Sequence, residues 1–168
     1  MFDLFTFFAI SVTFIIAGGV KGLIGLGLPS VSLGLLTATL DLPTAMSLMI
    51  VPSFITNAYQ ASIGGNTRII LQRIWPFLLI ATAMVWLGAT ALTRVDIGIL
   101  TALLGFLLIA FGVLNLTGVR LKISSQAEIL VGMVFGAVNG IITGMTGSFA
   151  MPGVKYLQGI GLSRDMLV

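Results

Sequence analysis

From Leu4 to Leu40 the only charged side chain is Lys21. A run this long and this apolar suits a surface that faces lipid. It also exceeds the roughly 20 residues, at about 1.5 Å each, that one helix needs to cross a bilayer. One straight helix cannot hold it, because Gly25-Leu26-Gly27-Leu28-Pro29 interrupts it with residues that weaken or break helices. The expectation is a helix to about Gly27, a break, and a shorter helix to about Leu40. Asp41 then caps a new helix, whose early Pro43 suits a first turn.

The rest of the chain continues the pattern. A helix is expected from Thr44 to Ile63, kinked at Pro52, followed by a polar loop from Gly64 to Trp75 with Arg68 and Arg73. Trp75 and Pro76 mark an interface and the start of a helix that ends near Thr93. Asp96 caps the next, Ile97 to about Thr117, and the loop 118–126 carries Arg120 and Lys122. A helix from about Ala127 breaks at Gly144-Met145-Thr146-Gly147-Ser148, just before Pro152. A short piece runs from Gly153 to Gly161, and Ser163 caps a further helix. With 58% hydrophobic and 8% charged residues, against about 25% charged in soluble domains, the fold class is all-α, a polytopic transmembrane helix bundle. No Lys or Arg precedes the first apolar run, so that run is a retained helix rather than a cleaved signal. The basic loops 64–75 and 118–126 fall on one side of this layout and are expected in the cytoplasm. The chain is then a multi-pass protein of the cell inner (plasma) membrane, with the side of its N-terminus left open.

Histidine and cysteine are both absent. That removes the usual zinc, haem and iron–sulfur ligands and the Cys–His and Ser–His nucleophile pairs. The acids are Asp3, Asp41, Asp96, Glu128 and Asp165, all near expected helix ends and none paired at mid-membrane. No catalytic residue, metal ligand or cofactor is assigned, an enzyme is not expected, and no nucleic-acid partner is indicated. No nucleotide-binding motif is present either.

Two segments resemble each other. Gly18-Gly-Val-Lys21-Gly22 and Gly136-Ala-Val-Asn139-Gly140 are each followed by a glycine-rich break, a proline and a short apolar piece. Broken helices in corresponding positions are the best sequence pointer to a transporter's binding site, since unwound backbone at membrane depth must line a cavity or be buried in protein. Half-helix N-termini then offer N–H groups to an anion. Lys21, about 25 Å along its helix, is the sharpest single candidate, because an intramembrane lysine is costly. The competing reading is snorkelling to the headgroups. Candidate substrate-binding residues are Lys21, Gly25 and Gly27 at the first break and Ser53, Asn57 and Gln60 on one face of the second long helix. Asn139, Thr146 and Ser148 are the candidates at the second break, while Thr143 is expected to satisfy a freed carbonyl. The four-residue ridge Gly132, Gly136, Gly140, Gly144 is expected to serve close helix packing, and Trp86 to pack inside.

Lys21-Gly-Leu-Ile-Gly-Leu-Gly-Leu-Pro29 resembles the first signature of the TauE/SafE sulfite exporter family, and Thr143-Gly-Met-Thr-Gly-Ser-Phe-Ala-Met-Pro152 its second-half counterpart. Val51-Pro-Ser-Phe-Ile-Thr-Asn57 and Arg73-Ile-Trp-Pro76 are similar to one branch of it. The resemblance spans essentially the whole chain. It implies a membrane transporter of sulfite, sulfonates or related small organic anions, built from two repeats that each open with a broken helix. Residues 1–120 would form the first repeat and 121–168 the start of a second, incomplete one. The partners expected are a small anionic substrate and the lipid bilayer, with a homo-oligomer as the alternative to a fragment. A passive anion channel and a non-transporting structural subunit are the other functional readings.

Overall fold

The computed structural model describes residues 3–25, 27–63, 67–118, 121–148 and 151–162, with Thr67 and Met151 as backbone only. Among them there is no strand. The helices are α1 (Leu4–Ile24), α2 (Leu28–Leu36), α3 (Leu42–Ile63), α4 (Thr67–Ala89), α5 (Ile97–Leu116), α6 (Glu128–Thr146) and α7 (Met151–Gly159), and a 3-10 turn over Thr90–Thr93 extends α4. The stretches Leu4–Ile24, Arg68–Thr93, Ile97–Leu116 and Glu128–Thr146 are long and apolar enough to cross a membrane. α3 is as long, 22 residues, but holds Pro52 and a polar face. The expected cap at Ser163, the basic Arg120 and Arg164, and the loop residues 64–66 lie outside the described residues.

Three aspartates start three helices. Asp3 accepts the Thr6 N–H at 2.9 Å, Asp41 that of Thr44 at 2.9 Å, and Asp96 that of Gly98 at 2.8 Å. Each satisfies a donor the helix itself cannot. The start of α4 departs from expectation. The helix begins two turns before Trp75 and keeps Pro76 inside, because a proline removes one ladder bond and a bilayer helix retains the others. The added turns carry Arg73 to Glu128 at the head of α6, where the ion pair closes at 2.6 Å and 2.9 Å.

α1 and α3 run parallel, since Lys21 pairs with Asn57 and Gly25 with Gln60. Residues 25–41 must therefore turn back. A Cβ on Gly27 would stand 3.6 Å from the Val20 side chain, and Leu33 and Leu36 pack in one core with Ala17, Leu42, Ala45, Leu100 and Leu104. Asp3, Asp41 and Asp96 thus share one end of the bundle. The other end carries Arg68, Arg73 and Lys122.

α4 and α6 touch backbone to backbone. A Cβ on Gly136 would lie 2.7 Å from the Phe77 carbonyl oxygen, on Gly140 2.2 Å from that of Ala81, and on Gly144 2.3 Å from that of Val85. The constant register makes these helices parallel, with Gly136, Gly140 and Gly144 as their seam, while Gly132, the first of the ridge, faces the Tyr156 ring of α7. Trp86 sits on the other side of α4 and is 82% exposed, so it faces outward rather than packing inside. α7 turns back along α6, and its Tyr156 stacks on Phe77 with ring centroids 5.0 Å apart.

Candidate functional site

Both long helices end on a left-handed glycine, and for the same reason. Gly25 (φ 81°) closes α1 with its N–H on the Lys21 carbonyl, and Gly147 (φ 71°) closes α6 with its N–H on that of Thr143. Side chains with a Cβ are strained at such angles. A nine-residue helix follows each break, with proline at its second position. A proline has no N–H for the carbonyl four residues before it. A side chain supplies the missing donor each time: the Gln60 amide bonds the Gly25 carbonyl at 2.9 Å, and the Thr143 hydroxyl bonds that of Ser148 at 3.4 Å. The expected task of Thr143 is therefore the observed one. Matched on their closing glycines, the two breaks set Lys21 opposite Thr143, one turn away from the pairing with Asn139 that the sequence comparison uses.

The half-helices differ at their N-termini. Asn139, 1% exposed, caps α7 from below by accepting the Gly153 N–H at 3.0 Å. No side chain caps α2, whose N-cap is Gly27 at φ 103°. The free N-terminal dipole is therefore at the first break.

Beside that free end lies a cavity of about 540 Å³. Lys21, Gly25, Gly27 and Ser30 form one wall, Asn57 of α3 a second, Leu108, Phe111 and Asn115 of α5 a third, and Val154 and Gln158 of α7 a fourth. Lys21 is 8% exposed, and its ammonium donates to the Asn57 side-chain oxygen. Among the described residues the one ion pair is Arg73–Glu128, so no described carboxylate neutralises Lys21. A buried ammonium with a neutral partner is an uncompensated positive charge, which a bound anion relieves.

Lys21, Gly25, Gly27 and Asn57 therefore come together. Gln60 stands behind the wall, holding the Gly25 carbonyl. Ser53 lies one turn deeper on α3, with its hydroxyl buried and unpartnered. Asn139, Thr146 and Ser148 are not on this cavity wall. The Thr146 hydroxyl donates to Ile142 and accepts the Ser148 N–H, at 2.8 Å and 3.3 Å, and so fastens the second break. That break sits against Met46, near the start of α3, whereas the first is tied to Gln60 near its end. Among the described residues, none of the second break lines this cavity. Sequence reasoning misses the walls from α5 and α7, whose apolar lining residues carry no signal apart from Asn115 and Gln158.

No curated protein and no solved structure matches the chain. A family model described as "Sulfite exporter TauE/SafE" matches residues 10–166. Covering nearly every residue from the first helix through both breaks, that match places the chain in the TauE/SafE sulfite exporter family of membrane transporters.

Proposed function

We propose that this protein carries a small organic or inorganic oxyanion across the inner (plasma) membrane, driven by a gradient, and binds it in the cavity at the first break. One observation carries the reading: Lys21 is buried on the wall of a 540 Å³ cavity with an amide, not a carboxylate, as its partner. The uncapped N-terminus of α2 adds a second positive pole beside it. The remaining wall is largely apolar, with Val20, Ile24, Leu108, Phe111 and Val154. A bare oxyanion leaves most of such a volume to water, since pockets of about 300–1,000 Å³ hold drug-sized ligands. A sulfonate with a short apolar body fits both the charge and the walls, and sulfite fits the charge alone. No nucleotide motif is present, which favours an ion gradient or the membrane potential over ATP as the driving force.

The test is flux in proteoliposomes. Saturable uptake of sulfite or a short alkanesulfonate is expected, and Lys21→Gln should lower it by about tenfold to a hundredfold, the worth of a hydrogen bond to a charged group. Lys21→Gln protein that elutes as wild type from detergent chromatography and retains full flux would overturn the assignment.

A further inference from the structure

Inside the bundle, three carboxamides are spent on the fold. Asn57 accepts a hydrogen bond from Lys21, Gln60 holds the Gly25 carbonyl, and Asn139 accepts the Gly153 N–H. Asn115 and Gln158 are placed differently. Neither side chain bonds another described residue, and both line the cavity at the first break.

Their helices make this placement informative. α5 is the most apolar of the four candidate spans, with a mean hydropathy of 2.7. Its exposed outer face carries Phe106, Ile109 and Val113. Asn115 lies instead on the stripe of Leu108 and Phe111, at spacings of three and four residues, and that whole stripe lines the cavity. A polar side chain in so apolar a helix is costly, and one that is kept faces the interior or a cavity. α7 repeats the pattern. Its Lys155 and Tyr156 donate to the carbonyls of Leu114 and Glu128, both at 3.4 Å. Gln158 is one turn from Val154, and these two face the cavity. The Lys155–Leu114 bond also sets α7 against the last turn of α5, so the two carboxamides stand on adjoining walls. Both helices run toward the Arg68 end. Asn115 and Gln158 therefore lie at the same end of those walls, each about 6 Å beyond an apolar neighbour, Phe111 or Val154. Lys21 and the uncapped end of α2 occupy other walls.

We infer that Asn115 and Gln158 form an uncharged recognition point for the far end of the substrate, so that the cavity selects short anions bearing a hydroxyl or a similar hydrogen-bonding group away from the charge. The inference rests on the anion reading of the cavity and deepens it by naming that class. A carboxamide both donates and accepts, as a hydroxyl does. It supplies no charge to offset the burial of a second ionised group. A wholly apolar tail would displace water from the two amides and give them no partner in return.

The experiment measures uptake of ethanesulfonate and of its terminally hydroxylated analogue into proteoliposomes. It compares wild type with Asn115→Leu, Gln158→Met, the double variant and Lys21→Gln. The first two replacements nearly keep side-chain size and remove the amide. Wild type should reach half-maximal uptake of the hydroxylated sulfonate at a concentration about threefold to tenfold lower, the worth of one hydrogen bond. In the double variant the two concentrations should come within about twofold of each other, because the hydroxylated sulfonate loses its partner. Damage to the fold would weaken both sulfonates alike and leave their ratio, so an unchanged ratio overturns the recognition point. A wild type with no preference overturns it too. Lys21→Gln keeps that failure distinct from failure of the cavity reading. If it cuts uptake of both sulfonates while the carboxamide variants keep the wild-type ratio, the cavity site stands without the recognition point. If it keeps full uptake of both, the cavity site and the recognition point fall together.

Discussion

Lys21 gains its meaning from two residues on another helix. Asn57 accepts its hydrogen bond and Gln60 holds the carbonyl of the glycine that ends its helix. Sequence spacing shows that Asn57 and Gln60 share a face of α3. It does not show that this face meets α1, because the contact depends on residues 25–41 turning back. Asn57→Ala should leave the ammonium without a neutral partner, lowering stability by about 1–3 kcal/mol and shifting the concentration for half-maximal sulfite flux. Thermal unfolding in detergent and flux kinetics check the two effects separately. Asp41 gives a second, milder test. The Thr44 backbone N–H, and then its hydroxyl, hold the Asp41 carboxyl below its ordinary value of 3.8. A carboxyl depressed on folding stabilises the fold above its unfolded value, and the contribution fades as pH falls through the lower folded value. The unfolding-temperature gap between wild type and Asp41→Ala should therefore be full at about pH 6 and narrow as acidification carries the pH down through the carboxylate range.

Gly18 and Gly22 of α1 stand four residues apart, like the glycines of α6, yet the elements around the two sets treat them oppositely. Gly136, Gly140 and Gly144 meet the carbonyls of α4, whereas a Cβ added at Gly18, Gly19 or Gly22 of α1 would meet nothing within 4 Å. The breaks themselves are legible from glycine and proline. The partner of each ridge is not, since small residues permit close approach without naming what approaches. The start of α4 escapes the sequence for a related reason: proline signals a first turn or a kink equally well, and Arg73 reaching Glu128 makes the choice. Gly140→Ala places a methyl about 2.2 Å from the Ala81 carbonyl. It should push α4 from α6 and cost about 3 kcal/mol or more, at the upper end for overpacking. Gly18→Ala should be neutral or stabilising by up to about 1 kcal/mol, the helix-propensity gain. Unfolding temperatures of the two variants, measured side by side, test how tight the seam is.

The turn-back of α2 also fixes which loops of the whole molecule share a side, which helix lengths alone leave open. If residues 4–40 crossed only once, the N-terminus and the 64–75 loop would be on the same side. Because α3 runs parallel to α1, they are on opposite sides. One end then holds Asp3, Asp41 and Asp96 with Arg94, and the other holds Arg68, Arg73 and Lys122 with Glu128. Basic residues near helix ends are retained in the cytoplasm far more strongly than acids are excluded from it, so the expected orientation has the Arg68 end inward and the N-terminus outward. The cavity borders Asn115, near the last turn of α5, and so lies toward the Arg68 end, with the apolar core of Ala17, Leu33, Leu42 and Leu100 between it and the aspartate end. Single cysteines test this, because the natural chain has none. In whole cells, Asp96→Cys should react with a membrane-impermeant thiol reagent from outside, and Lys122→Cys only after the membrane is opened. The reverse pattern would overturn this orientation and turn the cavity outward.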